Sequence, residues 1–145
     1  MKKIILSLFF GIFFISANAQ TWHTNFKEAK EIASKKHEPI VLVFQGSDWC
    51  APCIKLDKQV WSTGEFKKYA KDHYVMLQAD FPKKKDHQLP QEQMEQNEKL
   101  AEKYNPHGYF PLVVVMDENG KVLGQTGYKN VSVDEFIDIL DSFKS

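Results

Sequence analysis

The chain holds two cysteines, three positions apart, in Cys50-Ala51-Pro52-Cys53. A disulfide between them closes a very short loop. On the loop-entropy model such a ring restrains the unfolded chain by roughly 2 kcal/mol, less any native strain. A pair this close is a weak brace and a good reversible redox couple. Cys50 falls where a buried strand gives way to the start of a predicted helix. Unpaired N–H groups and partial positive charge at a helix N-terminus favour thiolate over thiol, and the thiolate is the attacking species. The Cys50 thiolate would attack a substrate disulfide, and Cys53, one helical turn along, would displace the substrate and close the ring. Cys50 is therefore expected to be the exposed nucleophile and Cys53 the buried resolving thiol. Pro52 stiffens the first turn, where its missing N–H costs no hydrogen bond.

Competing chemistries need residues that are absent or badly placed. Zinc would need further ligands at suitable spacing. The histidines His23, His37, His73, His87 and His107 are scattered, and no pair has that spacing. Haem attachment calls for His directly after the second cysteine, where Ile54 stands. Peroxide reduction needs Thr and Arg around its cysteine, and the chain has no Arg. The redox reading calls for no metal and no cofactor.

Basic and acidic residues number 19 each, and every basic residue is Lys. Nucleic-acid binding wants a basic excess and favours Arg for base readout, so it is not expected. The 145 residues, 43% hydrophobic and 13% aromatic, suit one packed domain rather than a disordered chain. The first residues stand apart from it. Lys2 and Lys3 precede an apolar run from Ile4 to Ile15, and Ala17-Asn18-Ala19 is a small-x-small cleavage site. That run is shorter than the ~20 residues a membrane span needs. Residues 1–19 are thus expected to be a cleavable signal peptide, and 20–145 a single exported domain with no stable membrane insertion. Without Lys2 and Lys3 the mature chain carries a net charge of about −2. A periplasmic or secreted location, where disulfides persist, follows from export.

The elements that position the cysteines follow from periodicity and caps. Asn25 with Glu28 reads as a capping box opening a helix with Phe26, Ala29, Ile32 and Ala33 on its apolar side, ended by Pro39. Ile40 to Phe44 reads as a strand buried on both faces. A helix should run from the cysteine motif through Leu56, and another should follow Ser62-Thr63-Gly64. Tyr74 to Ala79 reads as a strand, Phe81 to Leu89 as a polar, Lys-rich loop, and Pro90 as the opening of a helix. Leu112 to Met116 and Val122 to Thr126 read as a hairpin around Asn119-Gly120, a dipeptide that tolerates positive φ. Ser132 with Glu135 caps a last helix carrying Val133, Phe136, Ile137, Leu140 and Phe143. Helix-linked strands plus a hairpin give an α/β fold: a mixed central sheet with helices on both faces, hence three layers.

At these residues the chain resembles the thioredoxin superfamily. It is similar in particular to exported thioredoxin-like thiol:disulfide interchange proteins with a Gly-Ser-Asp-Trp-Cys-x-x-Cys motif, here Gly46 to Cys53. The likeness runs from about Asn25 to the C-terminus and includes Pro111, directly before a strand. It implies a thioredoxin-like fold, a cis Phe110–Pro111 bond lying against the cysteines, and a Phe110 backbone open to a substrate strand. It also implies that Trp49 covers one side of the disulfide. Many thioredoxins carry a buried Asp on the strand before the motif, and Ile40 to Phe44 has none. Asp48, expected in an exposed loop, or water would then take the proton of Cys53. Lys55 and Lys58 are expected to be solvated, or weak electrostatic helpers.

The resemblance implies a protein-disulfide oxidoreductase whose partners are protein thiols and disulfides and an upstream thiol electron donor. A monomer is expected. Ala51 and Pro52 lack the His with which strong oxidants hold their thiolate, so a reductase or isomerase is expected rather than an oxidase. The alternative is a thioredoxin-like binding or chaperone module with little turnover, docking through Phe81 to Gln93. N-terminal sequencing of exported protein should begin at Gln20; a membrane-retained chain that still carries Met1 to Ala19 would identify an anchor instead.

Overall fold

The computed structural model describes residues 20–144. The expected leader, residues 1–19, lies outside them. In chain order the elements are β1 (Trp22–His23), α1 (Phe26–Lys36), β2 (Ile40–Gln45), α2 (Ala51–Leu56), α3 (Gly64–Ala70) and β3 (Val75–Asp80). Then follow α4 (Gln91–Tyr104), β4 (Leu112–Met116), β5 (Val122–Thr126) and α5 (Val133–Ser142). The sheet order is β1-β3-β2-β4-β5. β3 pairs in parallel with both β1 and β2, whereas β4 runs antiparallel to β2 and to β5. The mixed sheet expected from the order of elements is therefore present.

β2 and β4 are the central pair, and their residues from Ile40 to Phe44 and Leu112 to Met116 are buried. Successive strand residues point to opposite faces, which divides the core in two. On one face Val41, Val43, Val113 and Val115 pack with Leu56, Phe66, Phe136 and Leu140 from α2, α3 and α5. On the other Leu42, Phe44, Val114 and Met116 pack with Ala29, Ala33, Leu100 and Tyr104 from α1 and α4. Helices thus cover both faces, as expected. Among the described residues no helix is long and apolar enough to cross a membrane.

Local signals explain most element ends. The Ser132 side chain accepts from the Glu135 N–H, and the Glu135 carboxylate accepts in return from the Ser132 N–H, a complete capping box. At α1 only half of the expected box forms. Asn25 accepts from the Glu28 N–H at 3.0 Å, but the Glu28 carboxylate turns to His23, 3.9 Å away. α1 stops before Pro39 because His37 adopts the left-handed conformation (φ 57°) and closes it. The hairpin turn places Gly120 at φ 82°, which only a residue without Cβ adopts cheaply.

Three features depart from the expected elements. β1, only Trp22–His23, is too short for a periodic signal and forms by pairing with Met76 and Leu77. The helix at the cysteines does not end at Leu56. It continues as a π-helical turn, Asp57–Trp61, closed by the Ser62 N–H donating to the Asp57 carbonyl at 2.8 Å. The wider turn sets Val60 and Trp61 in the core, where Trp61 meets Phe66 and Phe136 edge-on. β3 begins and ends one residue later than expected, which carries Asp80 to the end of the strand opposite Gln45. That shift matters for the site.

Candidate functional site

The site begins where β2 ends. After Gln45 the chain turns at Gly46, whose carbonyl accepts from the Cys50 N–H at 2.9 Å. A Cβ built on Gly46 would lie 2.2 Å from the Trp49 ring, so only glycine lets the indole lie flat on the turn. Cys50 is the N-cap of α2 with extended backbone (φ −88°, ψ 101°), and its Sγ accepts from the Cys53 N–H at 3.3 Å. The sulfur therefore sits where the helix offers its unpaired N–H groups, as the sequence requires for a stabilised thiolate. Cys50 and Cys53 are joined as a disulfide. Ala51 and Pro52 form the exposed first turn.

As residues, the two cysteines are not divided into an exposed and a buried one. Both cysteines are only 4% exposed in the disulfide form. A cavity of about 230 Å³ opens beside Cys53, lined by Gln45, Ser47, Ile54 and Asp57. Asp57 follows Cys53 by one helical turn on the same face. Sequence reasoning passed over it, although its spacing from Cys53 was the available signal. Lys55 and Lys58 are solvent-exposed.

Asp48 is not an exposed loop residue. Its side chain is 4% exposed. One oxygen accepts from the Lys83 N–H at 3.0 Å; the other accepts from the Lys84 N–H at 2.9 Å and faces His87 Nδ1 at 3.1 Å. The Lys83 N–H, helped by Lys84 and His87, holds its pKa below the usual carboxylate value, against the opposing effect of burial. A carboxylate so engaged is a poor proton acceptor for Cys53. It is an anchor instead, and it binds the cysteine turn to the loop after β3.

The anchoring is reciprocal. Ser47 donates through its N–H at 2.9 Å and its hydroxyl at 2.5 Å to the two oxygens of Asp80, which the shifted end of β3 brings opposite. The Trp49 indole N–H donates to the Phe81 carbonyl at 2.7 Å. The Lys83 ammonium lies 4.0 Å from the Trp49 ring centroid, a cation–π contact. Each of Ser47, Asp48 and Trp49 thus has a partner in Asp80 to His87, which accounts for the polar part of the motif.

On the other side of Trp49 stands Phe110, with ring centroids 5.5 Å apart, and Phe110 also meets Phe81. The Phe110–Pro111 bond is cis. Phe110 is therefore brought against Trp49, the residue before Cys50, and the bond before Pro111 is cis, as the resemblance implied. The Asn105 side chain clamps the approach to this segment, bonding both the N–H and the carbonyl of Tyr109.

Comparison with known proteins agrees with this geometry. Residues 26–144 match the family model of the thioredoxin-like domain. The disulfide bond reductase DsbH of Chlamydia pneumoniae is 42% identical over 114 residues, covering 79% of this chain and 66% of that protein. The thioredoxin-related protein DsbJ of the same organism is 32% identical over 62 residues, 43% of this chain and 18% of its own length. The chain thus spans just under two thirds of the first relative and a smaller part of the second. Among solved structures, a DsbH oxidoreductase superposes with a TM-score of 0.79 at 32% identity, covering 98% of this chain and 94% of the other. A thioredoxin from Thermus thermophilus shares the fold, with a TM-score of 0.63 at 16% identity over 86% of each chain.

The anchor generates a prediction with a defined sign. The Asp48 pKa is lowered by folding, so its contribution is complete above the unfolded value of about 3.9 and is lost as pH falls through the lower folded value. The amides of Lys83 and Lys84 should remain protected from hydrogen exchange at neutral pH and lose protection only below about pH 3.9. In Asp48→Ala the same amides should exchange faster by about tenfold or more at pH 7, since bonds to a charged acceptor are lost.

Proposed function

The chain belongs to the thioredoxin-like domain family, and from that premise we propose that it is a thiol–disulfide oxidoreductase acting on protein disulfides outside the cytoplasm. The observation that carries this reading is the Cys50–Cys53 disulfide at the N-terminus of α2, preceded by Trp49, whose ring meets Phe110 of the cis Phe110–Pro111 pair. The relative named as a disulfide bond reductase supports the reducing direction.

The reaction proceeds from the dithiol. The Cys50 thiolate attacks one sulfur of a substrate disulfide; a Cys50–substrate bond forms, the substrate S–S bond breaks, and the other substrate sulfur leaves as thiolate. Cys53, deprotonated, then attacks the Cys50 sulfur. Its S–S bond replaces the mixed one, and the second substrate thiol leaves. The substrate gains two electrons, the enzyme loses them, and an upstream thiol donor restores the dithiol. Asp57, sharing the cavity at Cys53, takes the proton through water, since β2 carries no Asp. The backbone of Phe110 receives the substrate as an added strand. Export after cleavage before Gln20 places the domain, residues 20–145, where such substrates occur.

Cys53→Ser should accumulate mixed disulfides with its substrates through Cys50, while Cys50→Ser should accumulate almost none. Insulin should be reduced by the wild type in the presence of dithiothreitol. Equal trapping by both variants would remove the assignment of roles, and no turnover of insulin would favour a binding module.

The reduction potential decides direction. Reference values run from about −270 mV for thioredoxin to about −120 mV for the strongest oxidant of the group. Equilibration with glutathione or dithiothreitol buffers, read by tryptophan fluorescence, should give a value below about −200 mV. A value near −120 mV would identify an oxidase.

A further inference from the structure

Resting on that reading, we propose that Lys83, Lys84 and Lys85, in the loop that Asp48 ties to the cysteine turn, select disulfide-bearing polypeptides with acidic side chains next to the reactive cysteine.

The loop from Phe81 to Leu89 is polar, yet it is fixed at many points. Asp48 holds the N–H groups of Lys83 and Lys84. Phe81 accepts from Trp49, and Gln88 Nε2 donates to the Pro82 and Lys84 carbonyls at 3.1 Å each. A short 3-10 turn, Lys85–His87, follows. These bonds use backbone groups, the Asp48 carboxylate and the Gln88 amide. The lysine side chains donate none of these bonds, although the Lys83 ammonium lies over the Trp49 ring, and all three residues are exposed.

Their charge has no internal answer. Among the described residues the ion pairs involve His23, Lys36, His87 and Lys144, and none of the three loop ammoniums has a carboxylate within 4.0 Å. Two of the nearby acids are committed elsewhere. Both Asp80 oxygens accept from Ser47, and both Asp48 oxygens accept from the loop backbone. Asp86 is exposed in the same loop. The mature chain is acidic by about two charges, and against that balance the three consecutive lysines form a local positive run at one place. Lys83 marks that place, 4.0 Å from the Trp49 ring that adjoins Cys50.

A peptide strand laid along Phe110 with its sulfur at Cys50 passes Trp49, which is 38% exposed. Acidic side chains beside that sulfur would meet the lysines. Such a surface raises encounter rates by long-range attraction, an effect that falls with salt as the Debye length shortens.

The test compares two synthetic disulfide peptides, one with Asp and one with Lys flanking the cysteine, reduced by the full-length mature protein. The wild type should prefer the Asp peptide in kcat/KM. In the double variant Lys84→Glu/Lys85→Glu, which leaves every backbone anchor in place, the Asp-to-Lys preference should fall by about tenfold or invert. The wild-type preference should also shrink as ionic strength rises, a measurement that needs no variant. An unchanged ratio in the variant, or a wild-type preference that is absent or indifferent to salt, overturns the proposal. Turnover of both peptides at equal rates overturns it while leaving the oxidoreductase intact; turnover of neither overturns the oxidoreductase reading as well.

Discussion

A carboxylate taken almost wholly out of water must find donors or lose its charge. Asp48 meets that demand with two backbone N–H groups and a histidine, all from a loop more than thirty residues away in the chain. The cysteine turn and the loop after β3 are consequently one structural unit. Asp80 repeats the arrangement in the opposite direction by receiving Ser47. With both ends tied, Trp49 has a single place to lie: on Gly46, against Phe110, with its N–H on the Phe81 carbonyl. The aromatic surface beside the disulfide thus depends on two acids that never touch the sulfur.

The sheet supplies the rigidity behind that unit. β2 and β4 are buried on both faces, and β2 delivers the chain to the helix N-terminus where Cys50 sits. β4 delivers Pro111 from the opposite direction, because it runs antiparallel to β2 with Phe44 opposite Leu112. The end of β2 and the start of β4 are therefore neighbours by register. Residues from distant parts of the chain meet at the disulfide because the central pair fixes where each strand ends.

Much of this was legible in the sequence. Continuous apolar β-branched runs marked β2 and β4, and Ser132 with Glu135 marked α5, because these signals are local. The helix start at the cysteines was legible from Gly46, Ser47 and Pro52, whereas the cis bond was legible only through resemblance, since no local feature of Phe110–Pro111 distinguishes it from a trans bond. The role of Asp48 was not legible. Its partners are backbone N–H groups, which every residue carries, so no sequence pattern pairs Asp48 with Lys83 and Lys84. The π-helical turn escaped for a related reason: its register is set by Trp61 reaching the core, a tertiary demand. β1 is two residues held by pairing with β3 and has no pattern of its own.

The anchor also alters the electrostatic argument about the cysteines. From sequence, a carboxylate two residues before Cys50 disfavours the thiolate by like-charge repulsion. In the structure that charge is compensated by two N–H dipoles and faced by His87, while Lys83 brings a full positive charge to the ring next to Cys50. Both changes favour the thiolate relative to the sequence-based view. They act across a partly exposed surface, where solvent and salt weaken them, and neither places a hydrogen-bond donor on the sulfur. Within the Cys50–Cys53 ring the donor is the Cys53 N–H alone, set by the helix itself. The helix terminus is thus the chief support of the thiolate, and the surrounding charges adjust it by a smaller amount. The motif can therefore bind its loop through this acid and still leave Cys50 fit for its proposed role as nucleophile, because the charge of the acid is compensated by the loop it holds.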